Sequence, residues 1–199
     1  MKVISFEGFE YSGKSTQIKL LKKYFLKNNI KSTFTREPGG NKDLEKIRNV
    51  ILKSNFNNLS LIMFFFASRF ALLSSIKKND FIVFDRFFDS TYAYQKYNSK
   101  EKKIIISLIK LIDKKFIPKI TFYLKLDKKN LIRRKDKRLY SNKFDKKYFG
   151  QFSRIQKNYE EISKIKIGER KFVAIDASLS ANEVHDKIIL NLKKCKLIN

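Results

Sequence analysis

Two patterns of apolar residues alternate along the chain. Short apolar runs rich in Val, Ile and Phe predict β-strands, and longer segments with apolar positions three or four apart predict helices. The predicted strands lie at about 2–6, 31–35, 80–84, 119–126 and 171–175. The predicted helices lie at about 14–28, 42–54, 59–77, 89–97, 101–115, 128–136, 145–164 and 180–194. This alternation predicts an α/β fold in which helices cover both faces of a five-stranded parallel sheet.

A loop that starts with one glycine and has a second near its end follows the first predicted strand directly. The loop matches G-x-x-x-x-G-K-[ST], and it consists of Gly8, Phe9, Glu10, Tyr11, Ser12, Gly13, Lys14 and Ser15, with Thr16 at the start of the next helix. The glycines let several backbone N–H groups and a helix N-terminus point at one anion. Lys14 would add positive charge at the β- and γ-phosphates, and the Ser15 hydroxyl would bind Mg²⁺. A chance glycine-rich turn is the alternative, but the strand–loop–helix context favours a binding site for ATP.

Polar residues also follow the second and third predicted strands. Residues 36–40 read Arg-Glu-Pro-Gly-Gly, and Asp85 and Arg86 follow the apolar strand 80–84. The carboxyl ends of parallel strands share one edge of the sheet, so these loops are expected to converge on one crevice. Asp85 occupies a position suited to Mg²⁺, directly or through water. A helix cap or a simple ion pair is the structural alternative for Asp85 and for Arg86.

The composition supports a site at these loops and argues against a nucleic-acid-binding protein. Four of the six glycines lie in the two loops, at Gly8, Gly13, Gly39 and Gly40. The net charge of +26 comes mainly from lysines spread over the whole chain. Nucleic-acid-binding proteins more often concentrate Lys and Arg on one face or in a tail. We therefore expect no nucleic-acid partner, although the charge should attract phosphorylated substrates.

Several absences in the sequence predict a cytoplasmic enzyme. The single cysteine, Cys195, cannot form an internal disulfide. The first strand begins at residue 2, which leaves no room for a cleaved signal sequence. Residues 59–76 are almost wholly apolar, but Arg69 lies near their centre and would be costly in lipid. A buried helix of a protein without membrane contact is the better interpretation of this segment.

Three motifs together resemble the thymidylate kinase family. They are Phe6-Glu7-Gly8-Phe9-Glu10-Tyr11-Ser12-Gly13-Lys14-Ser15-Thr16-Gln17, then Thr35-Arg36-Glu37-Pro38-Gly39-Gly40, then Asp85-Arg86-Phe87-Phe88-Asp89-Ser90-Thr91-Tyr92-Ala93-Tyr94-Gln95. Glu45-Lys46-Ile47-Arg48 continues the second motif in the same way. The resemblance runs from residue 2 to about 160. It implies one nucleoside monophosphate kinase domain over residues 1–199 that phosphorylates dTMP to dTDP with ATP and Mg²⁺, and a possible homodimer formed through apolar helices such as 59–77.

The resemblance also implies roles for individual residues around the acceptor nucleotide. Arg36 and Arg86 are similar to the arginines that clamp the acceptor phosphate, a task that suits bidentate guanidinium groups. Glu10 matches the acidic position that faces the sugar 3′-hydroxyl, although a solvated loop residue is the alternative. Further residues resemble those that line the base and deoxyribose, and these are Ser90, Thr91, Tyr94 and Tyr159.

Phe65 and Arg69 match the pair that stacks on thymine and hydrogen-bonds its edge. They lie four residues apart and therefore on one face of a helix. Arg69 is the lone charge in an apolar helix and needs a partner when it is buried. The alternative is that Phe65 belongs to the core and that Arg69 pairs with a buried carboxylate.

The segment from about 133 to 147 resembles the lid of nucleotide kinases, which closes over the phosphates and excludes water. Its first part carries a dense cluster of cations, Arg133, Arg134, Lys135, Lys137 and Arg138. The phosphate loop has Tyr11 where some relatives have an arginine, so catalytic cations beyond Lys14 and Arg86 are expected from the lid, with Arg133 and Arg138 as candidates. The lid sequence departs from the family pattern after Arg138. A solvated, basic helix end is the alternative.

Other functional classes fit the sequence less well. Residues 142–145 match the N-K-x-D motif of GTPases, but they do not follow a buried strand and the chain has no D-x-x-G motif. Another deoxynucleoside or deoxynucleotide kinase is the alternative of the same class. A degenerate phosphate-loop protein that binds polyanions is the alternative of another class. The sequence leaves open the catalytic rate, the use of dUMP and the oligomeric state.

Overall fold

The fold is built on a five-stranded parallel sheet, as a computed structural model of the chain shows for residues 1–136 and 148–198. The strands are β1 (Lys2–Glu7), β2 (Ser32–Arg36), β3 (Phe81–Asp85), β4 (Ile120–Lys125) and β5 (Lys171–Asp176). Their order across the sheet is β2-β3-β1-β4-β5, and every neighbouring pair is parallel. The predicted α/β fold with five strands is therefore confirmed.

Eight α-helices connect or flank the strands in the described residues. They are α1 (Lys14–Lys27), α2 (Lys42–Lys53), α3 (Asn58–Ser75), α4 (Phe88–Gln95), α5 (Ser99–Lys110), α6 (Lys128–Asp136), α7 (Phe152–Ser163) and α8 (Ala181–Lys194). The prediction of one helix over 101–115 is wrong at its end, because α5 stops at Lys110 and a 3₁₀ turn covers Lys114–Phe116. The predicted helix 145–164 is not continuous, since residues 148 and 149 are helical, a turn follows at 150–151, and α7 starts at Phe152; residues 145–147 lie outside the described residues.

Alternating side chains of the central strands fill a separate core on each face of the sheet. Ile4 and Phe6 of β1 pack with Leu21 and Phe25 of α1. Val3 points to the other face, where the core contains side chains of α3, α4 and α5. Two packed layers of helices thus enclose the sheet, the arrangement that a parallel sheet requires.

Helix α3 is long and apolar enough to cross a membrane by length and composition. Eight of its eighteen residues are buried in the protein, among them Phe65, Phe66 and Arg69. Arg69 pairs with a carboxylate of the loop after β2, so the central charge of the helix is used inside the fold. This burial favours the interpretation of α3 as a core helix.

The register of the sheet brings the loops of the sequence motifs together. Phe6 of β1 and Arg36 of β2 both align with Asp85 of β3. The Arg86 amide donates to the Phe6 carbonyl at 2.9 Å, and the Glu37 amide donates to the Asp85 carbonyl at 3.0 Å. The three loops that follow β1, β2 and β3 are therefore fixed to one another by backbone hydrogen bonds at one edge of the sheet.

A carboxylate on α7 ties together the helices on one face. Glu161 accepts from the Tyr92 hydroxyl at 2.8 Å and from Lys96 and Lys102 at 2.6 and 2.7 Å. Burial opposes ionisation of Glu161, but these three donors outweigh it and lower its pKa from 4.5 to about 2. The ionised carboxylate therefore stabilises the contact between α7 and helices α4 and α5.

Replacing Glu161 by Gln is expected to lower the free energy of unfolding by about 1–2 kcal/mol at pH 7, after allowance for solvent screening at this partly exposed site. A carboxyl group with a lowered pKa in the folded state stabilises the protein above its unfolded pKa of 4.5. That contribution is lost as the pH falls from 4.5 towards 2. Urea denaturation should show the difference between wild type and Glu161→Gln shrinking over this pH range.

The matched control is Glu160→Gln, which removes a neighbouring and more exposed ion pair with Lys125. It is expected to change stability by less than about 0.5 kcal/mol. Equal effects of the two substitutions, or a Glu161→Gln effect that does not depend on pH, would contradict the role assigned to Glu161.

Candidate active site

The phosphate loop wraps tightly between β1 and α1. Gly8 and Gly13 have φ angles of 145° and 93°, which side chains rarely adopt. A Cβ atom on Gly8 would lie 2.7 Å from the Leu124 carbonyl oxygen, so the loop also needs glycine there for space. The first turn of α1 closes through a hydrogen bond from the Gln17 amide to the Gly13 carbonyl at 3.1 Å. The earlier amide groups of this turn remain available to an anion.

Lys14 lies at the mouth of this loop with its ammonium group held in place. Its Nζ donates to the carbonyls of Gly8 and Phe9 at 3.1 and 3.0 Å. Burial lowers the pKa of Lys14, and the nearby charge of Arg86 lowers it further. The side chain lines a cavity of about 240 Å³ beside the loop. A cation is therefore fixed where a bound phosphate would need one.

Arg86 extends into the same cavity from a sharp turn after β3. Its φ of 68° is in the left-handed region, which is uncommon for a residue other than glycine. The guanidinium donates from Nη1 to the Gly8 carbonyl and to Ser90 Oγ, both at 3.0 Å, and it forms an ion pair with Glu10. Burial would lower the pKa of Arg86, but the charge of Glu10 and the nearby phenol groups of Tyr94 and Tyr159 raise it well above its ordinary value.

The ion pair with Arg86 also holds Glu10 beside the cavity. Burial alone would raise the pKa of Glu10, whereas Arg86 and Lys14 lower it below the usual value. Its carboxylate is thus ionised at neutral pH and lies next to a cation that could also hold an anionic ligand. The phosphate loop and the Arg86 turn therefore meet through a charged contact as well as through the backbone.

Two further arginines line the cavity from the loop after β2 and from α2. Arg36 is half-exposed and pairs with Glu45 at 2.7 Å. Arg48 donates to the Pro38 carbonyl at 2.8 Å, and burial lowers its pKa, with Arg36 as the second cause. The sequence analysis assigned no role to Arg48, although the residue ends the segment 45–48 that continued the second motif. Arg36, Arg48 and Arg86 thus line one space together with Lys14, an arrangement that suits a polyanion.

The apolar end of this cavity is formed by α3 and α4. Phe65 lines it while packing against Ile51 and Leu61, and Thr91 and Tyr94 line it from α4. The ring of Phe9 stacks on Tyr94 with centroids 6.0 Å apart. This end therefore offers aromatic surface beside hydroxyl groups, a combination that suits a nucleobase and its sugar.

Arg69 is buried at the same end and has a carboxylate partner, as one of the two sequence interpretations expected. Its Nε donates to Glu37 at 2.7 Å, and its Nη2 donates to Thr91 Oγ1 at 3.1 Å. Burial raises the pKa of Glu37 to about 7, and the charge of Arg69 opposes this shift. Because Arg69 also lines the cavity, the ion pair and a ligand-binding role are compatible.

A second cavity of about 380 Å³ lies on the other side of the phosphate loop. Its apolar lining comes from Leu179, Ala181 and Val184 near the start of α8. Arg134 of α6 lines it and donates to the carbonyls of Tyr11, at 3.2 Å, and Ala177. Tyr11, Gly13 and Thr16 line both cavities, so the two spaces share the phosphate loop as a wall.

The cations predicted for the lid therefore differ in whether they contact the phosphate loop. Arg134, which the sequence analysis named only as one of the cluster, contacts the phosphate loop, whereas Arg133 is exposed on the same helix. Arg138 and the N-K-x-D match at 142–145 lie outside the described residues. Sequence alone could not choose between adjacent arginines, because that choice depends on which face of α6 turns towards the loop.

The predicted metal-binding oxygens both line the first cavity. Ser15 lies in the first turn of α1, and Asp85 ends β3. Within residues 1–136 and 148–198, no group of three or more His, Cys, Asp or Glu side chains is arranged to hold a metal ion. One carboxylate and one hydroxyl fit Mg²⁺, which usually keeps several waters and takes further ligands from phosphates.

Tyr159 lies behind the cavity wall formed by Ser90. Its hydroxyl lies 3.1 Å from Ser90 Oγ and 3.1 Å from Glu7, and its ring stacks on Tyr123. Glu7 also accepts from the Phe87 amide at 2.7 Å and from Ser90 at 2.6 Å. Sequence reasoning assigned no role to Glu7, whose only signal was a carboxylate at the end of a buried strand.

Comparison with known proteins identifies a family for this fold and site. A family model described as thymidylate kinase matches residues 6–188. The thymidylate kinase of Chlorobium limicola is 34% identical over 213 residues, covering 96% of this chain and 94% of that protein. The thymidylate kinase of Wolbachia pipientis strain wPip is 35% identical over 204 residues, covering 97% and 96%. A crystal structure of thymidylate kinase from Ehrlichia chaffeensis superposes with a TM-score of 0.72 at 29% identity, covering 96% and 98% of the two chains.

Lys14→Ala is expected to leave the fold intact and to reduce the rate of phosphoryl transfer from ATP by about a hundredfold or more, because a preorganised charge at the phosphates is lost. Turnover in a coupled ADP-release assay and the melting temperature should be measured together. Lys19→Ala, at an exposed position on the same helix, is the control and should retain normal turnover. A well-folded Lys14→Ala protein with normal turnover would rule out the phosphate-loop assignment.

Proposed function

The chain belongs to the thymidylate kinase family, and we propose that it transfers the γ-phosphoryl group of ATP to dTMP and so produces dTDP. The observation that carries this proposal is the pair of cavities that share the phosphate loop as a common wall. A kinase must hold two polyanions with their phosphates in line, and two sites on opposite sides of one loop meet that need.

The donor nucleotide is assigned to the second cavity and the phosphate loop. The apolar side chains near the start of α8 would contact adenine, and the Arg134 guanidinium is near enough to stack on the base or to reach the phosphates. The triphosphate would bind along the loop residues Gly8, Phe9, Glu10, Tyr11, Ser12, Gly13, Lys14, Ser15 and Thr16. Lys14 would stabilise charge on the transferred group.

We assign Mg²⁺ to Ser15 and Asp85, which both line the first cavity. When bound, the ion would neutralise charge on the β- and γ-phosphates. The chain itself orients these two oxygens through the first turn of α1 and the end of β3.

The acceptor phosphate is assigned to the arginines of the first cavity. Arg86 lines this cavity from the turn after β3, Arg36 from the end of β2, and Arg48 from α2. Their guanidinium groups can hold phosphate oxygens in two directions and so fix the line of transfer. Arg133 and Arg138 stay candidates for cations that act in the transition state.

The nucleoside is assigned to the apolar end of the same cavity. Phe65 would stack on thymine, and Arg69 would hydrogen-bond the carbonyl at its 4-position while Glu37 holds the guanidinium in place. Ser90, Thr91 and Tyr94 would surround the deoxyribose, and Glu10 would accept from the 3′-hydroxyl. Tyr159 supports this wall from behind Ser90.

We further propose that residues 1–199 act as one kinase domain whose lid covers about 133–147, and that the enzyme works in the cytoplasm. Helices α2 and α3 carry several exposed apolar residues, namely Ile47, Val50, Leu59, Met63 and Phe64. We propose that these residues contribute to a two-fold contact between copies of the chain. No nucleic-acid or membrane partner is assigned, because the basic side chains are dispersed and α3 contributes to the core.

The purified enzyme is expected to prefer dTMP over dUMP, and to use dCMP and purine monophosphates far less efficiently. A missing methyl group costs only about 1–3 kcal/mol, so dUMP should remain a slower substrate. Cytosine presents a donor where thymine presents an acceptor, which would leave Arg69 facing the wrong group. Coupled ADP release measured across nucleosides and monophosphates tests this order and also the alternative of a nucleoside kinase.

Arg69→Lys and Arg69→Ala extend the same experiment to the base. Both substitutions should lower kcat/KM for dTMP and reduce the ratio of the kcat/KM values for dTMP and dCMP. The effect of Arg69→Ala should be larger than that of Arg69→Lys. Phosphorylation of thymidine in preference to dTMP would favour a nucleoside kinase. Equal rates with dTMP, dCMP and AMP would leave only a general nucleotide kinase, and no turnover with any acceptor would favour a degenerate phosphate-loop protein.

A further inference from the structure

Glu7 is a buried carboxylate that none of the proposed ligand contacts uses. It ends β1, directly before the phosphate loop, and is 0% exposed. Its Oε1 accepts from the Phe87 amide at 2.7 Å, and its Oε2 accepts from Ser90 Oγ at 2.6 Å and from the Tyr159 hydroxyl at 3.1 Å. Three donors converge on one carboxylate that is shielded from solvent. Burial of such a group costs free energy unless hydrogen bonds offset the loss of water. Glu7 and its three donors therefore hold one another in fixed positions.

One of these donors, the Phe87 amide, belongs to the turn that carries Arg86, and a second, Ser90, lies in the first turn of α4. Phe87 follows Arg86 directly, and the bond from its amide holds the backbone where Arg86 adopts φ 68°. A left-handed conformation at such a residue persists only when surrounding contacts enforce it. Glu7 supplies one of those contacts, and the hydrogen bond from the Arg86 amide to Phe6 supplies another.

Ser90 extends the link from Glu7 to the guanidinium group. Its hydroxyl donates to Glu7 and accepts from Arg86 Nη1 at 3.0 Å. A serine hydroxyl has only one proton, so the bond to Glu7 leaves its lone pairs for Arg86. The carboxylate thus fixes the backbone of Arg86 through Phe87 and its side chain through Ser90.

A second buried carboxylate nearby is neutralised separately. Asp89 forms an ion pair with Arg170, which also stacks on Phe88 and Phe172. Burial and the charge of Asp89 raise the pKa of Glu7 to about 8, while Ser90, Arg86 and the Phe87 amide oppose the shift. Asp89 thus has its own arginine, and Arg86 is the cation that opposes the raised pKa of Glu7. Glu7 also raises the pKa of Lys14, but less than Glu10 and Asp85 do.

We propose that Glu7 is a positioning residue for the acceptor phosphate, which it controls by holding Arg86 through Ser90 and the Phe87 amide. This inference rests on the proposed function, in which Arg86 binds the phosphate of dTMP. The donor site depends on the loop amides and Lys14, none of which Glu7 contacts in the described hydrogen bonds. Loss of Glu7 should therefore affect the acceptor more than ATP.

The first test is Glu7→Gln, which keeps the shape of the side chain but replaces one of its two oxygen atoms, and with it one hydrogen-bond acceptor, by an amide NH₂ group. We expect the KM for dTMP to rise about tenfold or more, and the KM for ATP to change less than about twofold. Glu161→Gln is the matched control, because it removes a carboxylate that also bonds α4 but lies away from the cavity. It should lower the melting temperature without altering the ratio of the two KM values.

A double-mutant cycle with Ser90→Ala tests the route of the effect. If Glu7 acts through Ser90, the two substitutions together should raise the KM for dTMP by less than the product of their separate effects. Fully multiplicative effects would overturn the link through Ser90. A rise of both KM values by the same factor in Glu7→Gln, or no rise in a folded protein, would overturn the positioning role itself.

Two further experiments apply if Glu7→Gln does not fold or if the wild-type enzyme does not use dTMP. If Glu7→Gln fails to fold, Ser90→Thr and Ser90→Ala replace it. Both alter the cavity wall, but Thr keeps the bridging hydroxyl, so the KM for dTMP should rise less in Ser90→Thr than in Ser90→Ala. Equal effects of Thr and Ala would overturn the proposal. If wild type does not phosphorylate dTMP, the proposed function fails by itself. The KM comparison then uses the monophosphate that the enzyme accepts, or calorimetric binding of dTMP if it accepts none.

Discussion

The hydrogen bonds between the ends of β1 and β3 hold the rest of the site together. The Arg86 amide bonds to the Phe6 carbonyl, and the Arg86 guanidinium bonds to the Gly8 carbonyl at the first residue of the phosphate loop. A side chain from the third loop therefore closes on the backbone of the first. Without this contact, the phosphate loop and Arg86 would still lie at one edge of the sheet. No direct hydrogen bond between the side chain of Arg86 and the loop would then fix the distance between them. Phosphoryl transfer between two bound nucleotides requires a closer constraint than that.

Charge is distributed differently inside the protein and on its surface. Three acidic side chains around the site, Glu10, Glu37 and Asp89, each form an ion pair with an arginine, and these arginines are Arg86, Arg69 and Arg170. Buried pairs of this kind contribute little net stability, because the cost of removing both charges from water offsets their attraction. Their value here is orientation, since each arginine is directed by a partner whose position the sheet or α4 sets. The excess of +26 therefore resides mainly on exposed lysines, where it can attract anionic substrates but does not define the site.

The sequence predicted the layout of the sheet well because strong local signals determine it. The central strands β1, β3 and β4 are buried along almost their whole length, and continuous apolar runs mark such strands. The edge strands β2 and β5 are only partly buried, so their limits were less sharply encoded. The break after α5 was missed because Leu111 and Ile112 continue the apolar pattern into a segment that turns away. Helix boundaries of this kind depend on packing rather than on local periodicity.

Candidate site residues could be named from motifs, but their partners could not. The pairing of Arg69 with Glu37 spans 32 positions, and that of Glu7 with Tyr159 spans 152. Nothing in the local pattern around Glu7, Arg48 or Arg134 distinguishes them from other charged residues in a lysine-rich chain. Their positions follow from which strands are neighbours and from how α6 rotates against the phosphate loop. The motifs thus locate the site, and the tertiary fold determines which charges act on one another.

The central claim is that the two cavities are the donor and acceptor halves of one site joined at the phosphate loop. The most direct measurement is isothermal titration calorimetry with adenosine and thymidine joined through their 5′ positions by five phosphates, compared with ATP and dTMP alone. One molecule of this compound should bind per chain, about a hundredfold or more tighter than either nucleotide, because both halves engage at once. Binding no tighter than ATP, or two molecules per chain, would mean that the cavities do not form a single reaction site.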